Sequence, residues 1–283
     1  MKLLRYGPAG AEKPGLLDAD GIVRDLSAHL DDLTPEALSE ASLARLRALD
    51  PTTLPQVPGT PRLGVPVAGV RQLLAIGLNY RQHAAEAGMA VPSEPVIFFK
   101  AITSLSGPDD DVVLPEHSAM TDWEIELAVV IGRTARRVAE ADALDHVAGY
   151  TIANDVSERD WQAQRGGSWS KGKSFDTFCP LGPWLVTRDE VEDPQALAMT
   201  LTVDGEVRQQ SNTADMIFNV RQLIAYCSRF MTLLPGDVVI TGTPQGVGLG
   251  MKPPRFLRAG ERMQLTIERL GQQTQRVQPT PHD

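Results

Sequence analysis

Asp122-Trp123-Glu124-Ile125-Glu126-Leu127-Ala128-Val129-Val130-Ile131-Gly132 alternates acidic and apolar residues at its start and becomes wholly apolar toward its end. In an extended chain, successive side chains point to opposite faces. Asp122, Glu124 and Glu126 therefore share one face, and Trp123, Ile125, Leu127, Val129 and Ile131 share the other. Ala128 and Val130 continue the acidic face, so its carboxylates run into an interior. The stretch reads as a buried strand. Val96–Lys100, Gly149–Asn154, Leu201–Val203, Val238–Thr241 and Met263–Ile267 read the same way. Helical patterns are few and short (Asn79–Ala87, closed by Gly88, and Glu140–Ala148), and strands do not alternate regularly with helices. The expected class is α+β, strand-dominated, with inserted helices.

Like charges on one buried face repel unless a cation lies among them. A hard divalent ion meets that need, because carboxylate oxygens are its preferred ligands. A solvated antiparallel face that merely carries acids explains the same alternation equally well. A third acid shifts the balance. Tyr150-Thr151-Ile152-Ala153-Asn154-Asp155 is an apolar strand that ends in a carboxylate. Glu124, Glu126 and Asp155 together make a candidate three-carboxylate metal site.

Upstream, residues 1–70 read as a small N-terminal α+β domain and residues 71–283 as the main one. Asp18-Ala19-Asp20-Gly21 signals a hairpin turn. Thr34-Pro35-Glu36 signals a helix start, with Thr34 as the cap and a helical pattern running to about Leu49. Pro51, Pro55, Pro58, Pro61 and Pro66 then punctuate a linker. The chain has 283 residues, 42% hydrophobic and 22% charged, ordinary values for a globular protein. Its 27 basic and 36 acidic residues give a formal charge of −9, which argues against nucleic-acid or anionic-membrane partners. Cys179 and Cys227 offer neither a disulfide framework nor zinc spacing. No apolar run approaches the ~18 residues of a membrane span, and the first residues lack a signal-peptide pattern. A cytoplasmic location is expected.

His83 and Glu86 lie three apart in a helical stretch, so the carboxylate can orient the imidazole as a general base. An ordinary surface ion pair accounts for them as well. Arg81 on the same segment is a candidate substrate contact. Lys173 could support a developing oxyanion, or could be a solvated loop charge. Gly167-Ser168-Trp169-Ser170-Lys171-Gly172-Lys173-Ser174 matches the phosphate-loop pattern, but no strand precedes it and Phe178-Cys179-Pro180 starts no helix, so that reading is set aside. Thr241-Gly242-Thr243-Pro244-Gln245-Gly246-Val247-Gly248 is either a flexible turn or a loop that offers the Thr243 hydroxyl and backbone amides to a carboxylate.

Five stretches taken in order resemble the fumarylacetoacetate hydrolase family: Gly77 to Glu86, Asp122 to Leu127, Asn154 to Asp160, Lys173 to Asp176 and Thr241 to Gly248. The resemblance covers roughly residues 70–270. It implies a mixed β-roll or sandwich catalytic domain, a homodimer, and Mg2+ or Mn2+ held by Glu124, Glu126 and Asp155. It further implies that His83 and Glu86 activate water, that Lys173 supports an enolate, and that Gln162 and Thr243 contact a small dicarbonyl acid. The N-terminal stretch Met1 to Pro8 with Lys13 to Asp18 is similar to a bacterial branch often labelled ureidoglycolate lyase. Some of that branch resemble 2,4-diketo-3-deoxy-L-rhamnonate or -fuconate hydrolases. The expected activity is metal-dependent cleavage of a carbon-carbon bond in a 2,4-dioxo acid. The competing expectations are an oxaloacetate decarboxylase or dienoate isomerase on the same scaffold, and a catalytically inactive binding protein.

Overall fold

A computed structural model describes residues 1–280. In chain order its elements are β1 (Lys2–Tyr6), β2 (Lys13–Leu17), β3 (Val23–Asp25), α1 (Glu40–Arg47), β4 (Leu73–Gly77), α2 (Arg81–Glu86), β5 (Val96–Lys100), β6 (Leu105–Ser106), β7 (Val112–Val113), β8 (Thr121–Asp122), β9 (Ile125–Ile131), β10 (Val147–Asn154), β11 (Ser157–Glu158), α3 (Trp169–Lys173), β12 (Cys179–Thr187), β13 (Ala198–Val203), β14 (Glu206–Asn212), α4 (Val220–Cys227), β15 (Val238–Ile240), β16 (Arg262–Ile267) and β17 (Gly271–Gln278). Short turns of 3-10 helix fill several connections. The fold is α+β and strand-dominated, as its sequence pattern predicts.

Two sheets carry the architecture. The larger runs β3-β2-β1-β12-β10-β9-β15-β4-β5, with β6 attached to β12; the smaller runs β14-β13-β16-β17-β7. Most pairings are antiparallel, whereas β15–β4, β12–β6 and β17–β7 are parallel. Strand β9 sits inside the large sheet between β10 and β15, and all seven of its residues are buried. A strand covered on both faces needs apolar residues on both, which explains its unbroken Leu127-Ala128-Val129-Val130-Ile131 run. Ile125, Leu127, Val129 and Ile131 enter the core between the sheets, with Leu201, Leu265 and Ile267 of the small sheet. Ala128 and Val130 enter a second core on the opposite side, with Leu3, Leu16, Leu43 and Leu46 of the N-terminal segment.

That segment is built onto the sheet. Strand β1 pairs with β12 (Lys2↔Val186, Leu3↔Leu185), and no gap in the second core marks residue 70. The expected hairpin is present: β2 pairs with β3, Gly21 has φ +77°, and an Asp18 carboxylate oxygen accepts from the Asp20 and Ile22 amides. The single helix expected from Thr34 is instead divided. Pro35–Leu38 forms a 3-10 turn with no side-chain bond from Thr34, and Ser39, itself extended, caps α1 by accepting from the Ser42 amide. Likewise Glu140–His146 is 3-10 helix running straight into β10. Among the described residues no helix is long and apolar enough to cross a membrane.

Candidate metal centre and active site

Register assembles the acids. In the β9–β10 pair Glu126 lies opposite Ala153, and the Asp155 amide donates to the Glu124 carbonyl oxygen at 2.9 Å. The carboxylate end of β9 therefore meets the end of β10. One carboxylate oxygen from each of Glu124, Glu126 and Asp155 lies within 4.8 Å of the other two, and all three residues are buried. Asp122 does not join them. It belongs to β8, where its oxygens accept from the Gly248 and Leu249 amides and from Arg159. It serves to hold the glycine-rich loop and the arginine.

Three cations surround the acids. Lys173, at the end of α3, donates to Glu124 at 2.7 Å and to Asp155 at 2.6 Å. Lys100, at the end of β5, donates to the other Asp155 oxygen at 2.5 Å. Arg159 bridges Asp122 and Glu124. The Glu124 carboxyl is lowered: burial works against ionisation, but Lys173, Arg159 and His83 outweigh it. Lys173 is raised despite burial, because Asp155 and Glu124 favour its charge. Glu126 goes the other way. Burial pushes its carboxyl well above the usual range, Asp155 and Glu124 add to the push, and Lys173 and the Gly242 amide do not offset it. One Glu126 oxygen accepts from Gly242 at 2.7 Å, and the other has no donor among the described residues. A buried acid with a free oxygen beside two other carboxylates is the setting that a hard divalent ion relieves, so the residues fit such an ion.

The acids open onto a cavity of about 440 Å³. His83 and Glu86 stand on its wall, with Nδ1 of His83 3.2 Å from Glu86. The glycine-rich loop after β15 secures this pair, since the Gly246 amide donates to both Glu86 oxygens at 3.0 and 3.2 Å. Gly242 takes φ +98° and lies against Asn79, where an added Cβ would be 2.7 Å from the asparagine's own Cβ. Asn79, fully buried, donates to the Thr241 carbonyl, so the loop and the entry to α2 are tied together.

Of the candidate residues, His83, Glu86, Glu124, Glu126, Lys173, Gln162 and Thr243 line the cavity, and Asp155 lies directly behind it, bonded to Lys173. Gln162 accepts from Arg159 through its amide oxygen at 2.9 Å, which leaves its NH2 group for a ligand. Thr243 is a wall residue whose hydroxyl donates to the Ile125 carbonyl and accepts from the Gln209 amide. Arg81 stands apart from these residues. It is exposed, its guanidinium donates to the Met216 carbonyl, and it does not line the cavity. Two positions along a helix is more than half a turn, so Arg81 and His83 face different ways. The phosphate-loop match stays excluded, because its lysine, Lys173, binds carboxylates. Lys100 and Arg159 are not singled out by sequence reasoning.

Comparison with known proteins finds relatives that match nearly the whole chain. Residues 72–278 match the model of the family described as fumarylacetoacetate hydrolase, C-terminal. A Burkholderia lata protein that carries only a provisional hydrolase name is 62% identical over 276 residues, 97% of this chain and 98% of that one. The crystal structure of maleylpyruvate hydrolase from Sphingobium sp. SYK-6, in complex with manganese(II) and pyruvate, superposes with a TM-score of 0.83 at 31% identity, covering 99% of this chain and 100% of that one. The 2-hydroxyhepta-2,4-diene-1,7-dioate isomerase of Mycobacterium marinum superposes with a TM-score of 0.75 at 33% identity, with both chains fully covered.

Proposed function

The chain belongs to the fumarylacetoacetate hydrolase family, and from that premise we propose that it is a divalent-metal-dependent hydrolase cleaving a carbon-carbon bond of a small 2,4-dioxo acid. The observation that carries the reading is that the His83–Glu86 pair faces the same cavity as the buried acids Glu124 and Glu126. An isomerase or decarboxylase needs no activated water, whereas a hydrolase does. Mg2+ or Mn2+ held by Glu124, Glu126 and Asp155 would supply Lewis-acid polarisation of the substrate's oxygens and would stabilise negative charge.

The residues of the chain do the rest. His83, oriented by Glu86, takes a proton from water, and the hydroxyl oxygen bonds to C4 of the dioxo acid. The C3–C4 bond breaks, its electron pair goes to C3, and the pyruvate enolate then takes up a proton. C4 leaves as the carboxyl carbon of a second acid. Lys173 shares the negative charge that grows on the pyruvate side, and the Gln162 amide orients the substrate. The manganese and pyruvate bound by the Sphingobium enzyme support both the ion and the product. The substrate favoured here is 2,4-diketo-3-deoxy-L-rhamnonate, which yields pyruvate and lactate, turned over by a cytoplasmic homodimer in sugar-acid breakdown.

The test is pyruvate release from that sugar acid, with acylpyruvates and oxaloacetate in parallel, each with and without EDTA. Release abolished by EDTA and restored by Mn2+ is expected. Replacing His83 with alanine should keep Mn2+ binding and slow hydrolysis by at least about a hundredfold. Release that ignores EDTA sinks the metal assignment. Release from oxaloacetate alone moves the function to decarboxylation. The isomerase neighbour supports one further outcome, in which a dienoate is rearranged with no pyruvate formed.

A further inference from the structure

The charge balance of the cavity bears on the part of the substrate beyond C4. Five carboxylates line the cavity or pair with a residue that does: Glu86, Asp122, Glu124, Glu126 and Asp155. Against them stand three cations, Lys100, Arg159 and Lys173, and each is already held. Lys100 binds Asp155, Arg159 binds Asp122 and Glu124, and Lys173 binds Glu124 and Asp155. His83 has Glu86 as its partner. A divalent ion brings this cluster to neutrality, so the C1 carboxylate of a dioxo acid alone makes it negative. Among the residues that line the cavity, no cation without a carboxylate partner remains for a second carboxylate.

The remaining wall is apolar, formed by Leu78, Met89, Phe98, Trp169, Val247 and Leu249. Its construction is specific. Trp169 packs edge-on against Phe98 with ring centroids 5.6 Å apart. Gly77, at the end of β4, makes room for that ring, since a Cβ there would lie 2.2 Å from the indole. Met89 and Leu249 are half exposed at the rim. The cavity exceeds the needs of a pyruvate unit and leaves this apolar space for the acyl group.

We infer that the site selects 2,4-dioxo acids whose acyl group is uncharged and rejects those ending in a second carboxylate, an inference that rests on the dioxo-acid reading above. An ionised carboxylate moved from water to an apolar wall without a partner is strongly disfavoured. Discrimination of at least about a hundredfold in kcat/KM is therefore expected.

The test uses 2,4-dioxoheptanoate and 2,4-dioxoheptanedioate, which differ only at C7, methyl in one and carboxylate in the other. Turnover is measured on the full-length Mn2+-loaded protein, and binding is measured by calorimetry on the His83→Ala variant, where hydrolysis does not interfere. The monoacid should show at least about a hundredfold higher kcat/KM and bind at least about tenfold tighter. A Met89→Arg variant, with a cation placed at the rim, should narrow the kcat/KM ratio at least about tenfold. Equal affinities and equal kcat/KM for the two acids overturn the inference, as does a ratio that Met89→Arg leaves untouched. If neither acid is cleaved, the hydrolase reading falls, and the two dissociation constants still decide the question of charge.

Discussion

At the scale of single residues, Glu126 is the side chain most dependent on what enters the cavity. Burial and the neighbouring Asp155 and Glu124 raise its carboxyl well above the ordinary glutamate range. The metal-free folded chain thus keeps a proton on Glu126 at pH values where an unfolded chain has lost it. By linkage, the contribution of this group to stability is fully present below the unfolded value and is lost as pH rises through the folded one. A divalent ion held by Glu126 would displace the same proton. Affinity for Mn2+ should therefore climb with pH across that window, by up to about tenfold per unit. Calorimetric Mn2+ titrations in two buffers of different ionisation enthalpy count the protons. About one released per ion is expected, whereas none released, with a flat pH dependence, would mean that Glu126 is already ionised. The three acids are legible in sequence because alternation fixes a face and an apolar run fixes a strand. Lys100 and Arg159 are not. A lysine closing Val96–Lys100 and an arginine inside Asn154–Asp160 carry no spacing signal, and their partners come from other strands.

At the scale of elements, six-residue α2 is too short to hold the proposed His83–Glu86 pair by its own hydrogen bonds. It is fixed from outside, by Gly246 on Glu86 and by the close approach of Gly250. A Cβ at Gly250 would lie 2.4 Å from the Glu86 carboxyl carbon, so Gly250→Ala must turn that side chain away from Gly246 and His83. The expected result is a kcat reduced about ten- to a hundredfold, with the Mn2+ dissociation constant unchanged, because Glu124, Glu126 and Asp155 are untouched. An equal loss in metal affinity would show that the loop supports the acids as well. The helix is legible from Asn79 to Gly88, and the glycine-rich loop is visible as a loop. The clamp between them is not, since it joins residues 160 positions apart. Strand β12 is equally hidden. Pro180 and Pro183 argue against an interior strand, yet Pro180 pairs toward two-residue β6, and Pro183 follows Gly182 where the β10 register has shifted.

At the scale of the whole molecule, the question is whether the first 70 residues form a unit of their own. The family match begins at residue 72, and the proline-punctuated stretch before it has the texture of a linker. The packing argues for dependence in both directions. Strand β1 extends the main sheet through β12, and Leu3, Leu16, Leu26, Leu33, Leu43 and Leu46 share one core with Leu73, Ala75, Val130 and Ile240. A fully buried leucine contributes roughly 1.5–3 kcal/mol. Losing six of them approaches or exceeds the roughly 5–15 kcal/mol that holds a typical domain together. A fragment of residues 71–283 should therefore fail to fold and should bind no Mn2+, and the full chain should unfold in a single calorimetric transition that Mn2+ moves to higher temperature. Two transitions, with only the upper one responding to Mn2+, would mean that the N-terminal segment melts independently. A soluble, metal-binding fragment would carry the same meaning, and the shared core would then be a docking surface between two self-sufficient parts.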